Sequence, residues 1–227
     1  MTQPDQERLL VLFHGIGDPW PVVPEHEKPY WCPSALWPSM VDAIARLAEH
    51  TELPIEISFD DGNLSDYEQA LPALLQRGLR ATFFVLAGRI GQREYLSPDH
   101  ILALREAGMG IGSHGWGHVD LRRTTDAQLA QEADASRERL SEVTGEPIDC
   151  FAIPFGSYDR RVLRNLRSYR TVYTSDARRA PRSGWLLPRH TYTQGWTPDT
   201  VRRLACERYG VRQQARQRLV GAVKRLR

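Results

Sequence analysis

Apolar residues in this chain fall into short unbroken runs, and the stretches between them carry a helical period. Leu9-Leu10-Val11-Leu12-Phe13 is such a run, short enough and solid enough to read as a strand buried on both faces. Residues 55–59 and 81–86 follow the same plan, the second rich in aromatic and β-branched side chains. Shorter strands are expected at 109–112, 150–153, 171–173 and 185–187. Helical spacing marks 40–48, 67–75, 125–144 and 159–167. Another helix should open at Ser97-Pro98-Asp99, a cap, a proline at the first helical position and an early acid, and close at Gly108. Gly145 and Pro147 should stop the long helix. One or two helices follow the last strand.

Strand and helix therefore alternate, which predicts a mostly parallel sheet, either a closed barrel or a doubly wound layer, of about seven strands. Neither GxGxxG nor GxxxxGK occurs, which argues against a nucleotide-binding sheet. Residues 18–33, rich in Pro, Trp and Tyr, read as a long ordered loop over one end of the sheet. No repeat or linker divides the chain, so 1–227 is expected to form one domain.

Composition and charge refine this reading. Apolar content of 41% and charged content of 26% are ordinary for a globular domain. No run approaches the ~18 apolar residues of a membrane span. The polar N-terminus lacks a signal-peptide plan, so the expected location is the cytoplasm. Cys32, Cys150 and Cys206 form no CxxC and read as reduced core thiols. The net charge of +2 conceals an asymmetry: residues 202–227 hold nine Arg and Lys against Glu207 alone. That segment reads as a basic amphipathic helix, either a solvated face or a peripheral contact with an anionic membrane. No motif points to nucleic acid.

The chemistry begins at Asp60-Asp61-Gly62, two like charges where a strand ends. Asp-Asp-Gly is good turn chemistry and taken alone means little more. A second signal changes its weight. His114 and His118 stand four apart among glycines 110, 112, 115 and 117, on a loop after a strand. Two imidazoles and a carboxylate make a zinc-type site with a position open for water. One aspartate can then ligate a metal that offsets the repulsion, and the other stays free as a base. In a parallel barrel the carboxyl ends of all strands open on one face, where such groups can meet.

Three ordered motifs give the chain a family resemblance. "SFDDG" (58–62), "SHGWGHVDL" (113–121) and "FAIPFGSYD" (151–159), with "RATFFV" (80–85) between the first two, resemble the NodB-like polysaccharide deacetylases of carbohydrate esterase family four. The resemblance spans about residues 9–190. It implies an α/β fold, a distorted (β/α)7 barrel. It implies a hydrolase that removes acetyl groups from an N-acetylated sugar, glycan or lipid-linked sugar. By position, Asp60 would be the catalytic base, and Asp61, His114 and His118 would hold one divalent ion, zinc first, with cobalt, nickel or manganese as alternatives. A backbone N–H in the third motif, that of Phe155, would face the oxyanion, since Pro154 has no N–H to offer.

Two departures stand out. Ala152 occupies the place of the third motif's arginine, which in the family steadies the catalytic aspartate. The family's last motif, Leu-x-His, is displaced: Arg189 stands two places after Leu187, and His190, one further, is the candidate acid. His14, at the end of the first strand, is a second candidate as a wall of the site or a substitute acid. Trp116 and Pro154 are candidates for substrate contact. Trp20, Trp31 and Trp185 offer stacking faces, although core packing explains each as well. The competing functions are an O-acetyl esterase or non-sugar amidase on the same site, and a catalytically impaired glycan-binding or assembly protein.

Overall fold

The first apolar run becomes strand β1 (Glu7–Phe13), and the alternation continues through α1 (Trp37–His50), β2 (Ile55–Asp61), α2 (Leu71–Gln76), β3 (Ala81–Val85) and α3 (Pro98–Glu106). It proceeds with β4 (Gly110–Ser113), α4 (Asp126–Ala130), α5 (Ser136–Thr144), β5 (Cys150–Ala152), α6 (Arg160–Asn165) and β6 (Thr171–Thr174). The last elements are β7 (Ala180–Pro181), β8 (Leu186–Pro188), β9 (His190–Thr191) and α7 (Pro198–Cys206). This is a computed structural model that describes residues 7–206 and 223–224. Most of the basic segment 202–227 lies outside the described residues. Among the described residues, no helix is long and apolar enough to cross a membrane.

Strands β1 to β6 pair in sequence order, all parallel, and β8 joins β6. Short β9 then pairs parallel with β1, Val11 opposite His190. β8 and β9 are thus two halves of one strand, broken at Arg189. One half binds β6 and the other binds β1, which closes the sheet into the distorted (β/α)7 barrel. β7 is an addition, antiparallel to the start of β1. β7 and β9 escape the sequence pattern because two residues are too few to show a period.

Side-chain alternation along the strands separates two compartments. Phe13, Phe59 and Phe83 share one register across β1, β2 and β3 and stack as a row, with centroids 5.7 Å and 4.9 Å apart. Trp37 of α1 meets Phe13 edge-on at 5.0 Å, so this row faces the helices. Each such pair contributes about 0.5–1.5 kcal/mol beyond its area. The alternate residues Ser58, Asp60 and Phe84 turn into the barrel. The main core therefore lies between strands and helices, while the barrel's interior carries polar chemistry. The long helix expected at 125–144 forms with one wide turn at Gln131–Ala135 between α4 and α5, and Gly145 ends it in the left-handed conformation (φ 70). Of the three free cysteines, Cys32 is a buried thiol, as expected, whereas Cys206 at the end of α7 is exposed.

The start of α3 gives a direct test of the capping reading. Ser97 Oγ accepts from the His100 amide at 3.2 Å, while the Ser97 amide donates to His100 Nδ1 at 3.3 Å. Ser97→Ala should cost about 1 kcal/mol. In a domain of this size that lowers the melting temperature by about 2–4 °C. An unchanged thermal transition would show that the cap carries none of the helix's stability.

Candidate active site

β2 delivers the paired carboxylates. Asp60 follows the strand's alternation and points into the barrel. Asp61 would point outward, but its backbone is left-handed (φ 79), which turns its carboxylate back over the same barrel end. β4 runs into the histidine loop. His114 lies just beyond its end, and the glycine-rich backbone brings His118 round with a left-handed φ of 58°. Asp61 Oδ1 consequently stands 3.5 Å from His114 Nε2 and 3.6 Å from His118 Nε2. The side chains of both histidines are at least nine-tenths buried.

The three groups fit a divalent ion on the structure's own terms. Asp61, His114 and His118 each offer one ligand atom within 4.8 Å of the others. Asp61 Oδ1 is buried and has no hydrogen-bond partner among the described residues, an arrangement costly without an ion. His114 Nδ1 is 2.8 Å from the Ala152 carbonyl, so it carries the proton and leaves the Nε2 lone pair facing Asp61. His118 Nδ1 lies 3.4 Å from Glu27 Oε1, and its Nε2 is turned toward Asp61. One oxygen and two imidazole nitrogens with space beyond them are the donor set of an open catalytic centre.

Asp60 is held differently. Arg189 grips it with both arms of its guanidinium, Nη1 to Oδ1 at 2.7 Å and Nη2 to Oδ2 at 2.8 Å, and also donates to Ser58 Oγ at 3.1 Å. Both side chains are almost wholly buried. Burial pushes the Asp60 carboxyl up. The charges of Arg189 and His114, the Arg189 hydrogen bonds and the charge of His14 outweigh it and hold the group below its ordinary value. Asp66, buried nearby, is pushed well above its ordinary value by burial and by the Asp61 charge.

These groups border a cavity of about 510 Å³ at the carboxyl ends of the strands. His14, Glu27, Tyr30, Phe155 and Thr193 are among its walls. Residues 18–33 do cover this end, with His26, Glu27 and Tyr30 facing inward. His14 Nδ1 is buried and has no hydrogen-bond partner among the described residues, so its imidazole is available to a bound molecule. Among the described residues, the non-glycine positions with positive φ are Asp61, His118, Phe155 and Ala177, and all four belong to this site or its wall. Such strain persists only where the surroundings enforce it.

Three sequence candidates stand elsewhere. His190 does not line the cavity. In β9 it alternates with Arg189, which takes the inward direction, and burial and the Arg179 charge push its pKa down to about 4. Outside the cavity, His190 cannot reach a bound molecule there. Trp116 packs on the loop at Gly88, where a Cβ would come within 2.7 Å of its indole nitrogen. Pro154 is buried behind the wall that Phe155 and Gly156 form.

Two site residues went unseen in the sequence. Arg189 was visible only as a departure from Leu-x-His, yet it fills the role that Ala152 vacates. Glu132, in the wide turn after α4, receives the amides of Trp116 at 2.7 Å and Gly117 at 3.0 Å, and so ties down the histidine loop. Nothing local marks it, because its partners are fifteen and sixteen positions away.

Comparison with known proteins agrees with this geometry. A family model described as polysaccharide deacetylase matches residues 48–174. The Bacillus subtilis peptidoglycan-N-acetylmuramic acid deacetylase PdaA is 28% identical over 135 residues, 58% of this chain and 50% of that protein. This chain spans half or less of the length of the curated relatives it matches. A crystal structure of a polysaccharide deacetylase from Bacillus cereus superposes with a TM-score of 0.76 at 19% identity, covering 88% of this chain and 69% of that one. The Streptococcus pyogenes deacetylase PplD, solved with acetate, gives 0.73 at 19% identity, covering 88% and 99%. At these identities the superpositions establish the fold.

The buried pair invites a double-mutant test. Arg189→Met strands the Asp60 carboxylate and should cost about 3–5 kcal/mol in urea denaturation. Adding Asp60→Asn should recover part of the loss, so the two changes are not additive. Because the folded pKa of Asp60 is depressed, its coupling to Arg189 is complete above the ordinary carboxylate value near 3.9. It disappears as the pH falls through the lower, folded value. Additive effects at neutral pH would refute the pairing.

Proposed function

Because this chain belongs to the polysaccharide deacetylase family, we propose that it is a metal-dependent hydrolase that removes acetyl groups from an N-acetylated sugar or glycan. The observation that carries this reading is one cavity holding two kinds of carboxylate. Asp61 lies unpaired against two imidazoles, and Asp60 is kept ionised by Arg189.

Asp61, His114 and His118 would hold the ion, with zinc the first choice for this donor set. A divalent ion held there would supply Lewis acidity toward an acyl oxygen and a water. The chain's own residues do the rest. Asp60 takes the proton from the attacking water at Oδ2, which accepts from Arg189 Nη2 at 2.8 Å and lies 3.8 Å from His114 Nε2. The Phe155 backbone N–H faces the acyl oxygen as charge develops on it. His14, an imidazole with a free Nδ1 in the cavity wall, gives a proton to the departing amine. Glu27 and the loop around it exclude water from one side. The products are acetate and a free amino sugar.

Three substitutions separate these roles. His118→Ala should lose most of the bound metal by elemental analysis. Asp60→Asn should keep the metal and its circular dichroism yet lose about 10²-fold or more in turnover. His14→Ala should slow acetate release from N-acetylated glycans while His190→Ala leaves it near wild type. Full metal content in His118→Ala would misplace the centre. Acetate release from O-acetylated substrates alone would replace the amidase by an esterase.

A further inference from the structure

The cavity wall at Phe155 and Gly156 is touched from behind by a residue sixty-eight positions beyond Gly156 in the chain. Lys224 Nζ donates to the Gly156 carbonyl at 3.2 Å and to Asp176 Oδ1 at 2.6 Å, and it lies 5.2 Å from the centre of the Tyr158 ring. Phe155 and Gly156 are consecutive left-handed residues, with φ of 58° and 56°. Phe155 is a non-glycine side chain, so this turn is strained, and strain of this kind relaxes unless neighbours over-determine it. The turn also has little room to move sideways. A Cβ on Gly156 would sit 2.3 Å from Ser175 Oγ.

The segment against which the turn rests belongs to the same wall. Ser175 and Ala177 face the cavity, and Asp176 between them turns away from it. Asp176 Oδ2 accepts from Tyr158 Oη at 2.6 Å and from Thr174 Oγ1 at 2.8 Å. Burial opposes the Asp176 charge. The hydrogen bonds from Lys224 and Tyr158, the Lys224 charge and the Thr174 hydrogen bond outweigh it, and the carboxylate is held below its ordinary value. Tyr158 is two residues beyond Gly156, so Asp176 fixes the far side of the turn through Tyr158 and the near side through Lys224. A neutral donor could satisfy one acceptor here. An ammonium group meets a carbonyl, a carboxylate and an aromatic face at once.

We propose that Lys224 is a positioning residue: it clamps the Gly156 carbonyl to Asp176 and so fixes where the Phe155 N–H stands in the cavity. Its catalytic consequence rests on the deacetylase reading above, whereas the clamp itself rests on the contacts alone. Lys224 touches neither the trio of Asp61, His114 and His118 nor the cavity, so metal binding should not depend on it. A donor displaced by a fraction of an ångström weakens stabilisation of the transition state while leaving substrate binding nearly intact.

The test uses the full chain with Lys224→Met, Lys224→Arg and Asp176→Asn. Hydrogen exchange reads the turn directly, because the Gly156 and Ser157 amides donate to the Ile153 and Pro154 carbonyls at 3.1 Å and 3.2 Å. Lys224→Met should speed exchange at these amides about tenfold or more, and Lys224→Arg should restore protection. In acetate release, Lys224→Met should lower kcat roughly ten- to a hundredfold with KM and metal content close to wild type. Asp176→Asn should shift both readouts in the same direction, and it decides the matter if Lys224→Met fails to fold. Wild-type exchange in both Lys224→Met and Asp176→Asn would overturn the clamp. So would a fall in kcat that Lys224→Arg does not rescue. A wild-type protein that releases no acetate would sink the deacetylase reading instead, and the exchange result would still stand for or against the clamp.

Discussion

The buried pair between Arg189 and Asp60 joins the closure of the barrel to its chemistry. Arg189 stands at the break between β8 and β9, where the last strand leaves β6 and passes to β1. Its backbone amide donates to the Thr174 carbonyl at 2.9 Å, and its side chain crosses the interior to β2. A guanidinium deep inside a barrel is tolerable only with a carboxylate in good bidentate geometry. The seam is therefore specified from within, because a register in which Arg189 missed Asp60 would bury two unpaired charges. The same contact keeps Asp60 ionised and fixes its rotamer beside the histidines.

The remaining site residues depend on backbone that would not hold by itself. Asp61 and His118 adopt left-handed conformations that cost ordinary residues energy. The histidine loop is fixed from outside the barrel by Glu132, whose carboxylate takes up amides that the glycine-rich turn leaves without strand or helix partners. The wide turn between α4 and α5 brings Glu132 to that position. A Cβ at Gly115 would come within 2.7 Å of the Glu132 carboxylate, so the glycine there serves close packing as well as its positive φ. The opposing charges of the site are thus arranged by unlike means. Asp60 is paired with arginine, Asp61 faces two imidazoles, and the Asp66 carboxyl is pushed upward by burial.

Much of this was legible in the chain itself. Parallel strands buried on both faces are near-continuous apolar runs, so β1, β2 and β3 announced themselves, and Gly145 and Ser97 marked helix ends through local backbone chemistry. The trio of Asp61, His114 and His118 was legible because each member lies in a short motif at a strand end, and parallel strands place their carboxyl ends together. What the tertiary structure alone decided are relations between distant residues. Whether Arg189 or His190 enters the barrel depends on the register of a two-residue strand, too short to have a period of its own. Glu132 and Lys224 act on loops far from them in the chain, and a lone acid or lysine on a polar helix face looks the same whether solvated or buried. Local sequence determines which backbone forms and where chemistry can gather. Which charge meets which is settled only when the closed barrel brings both out of water, where an unpaired charge is too costly to remain.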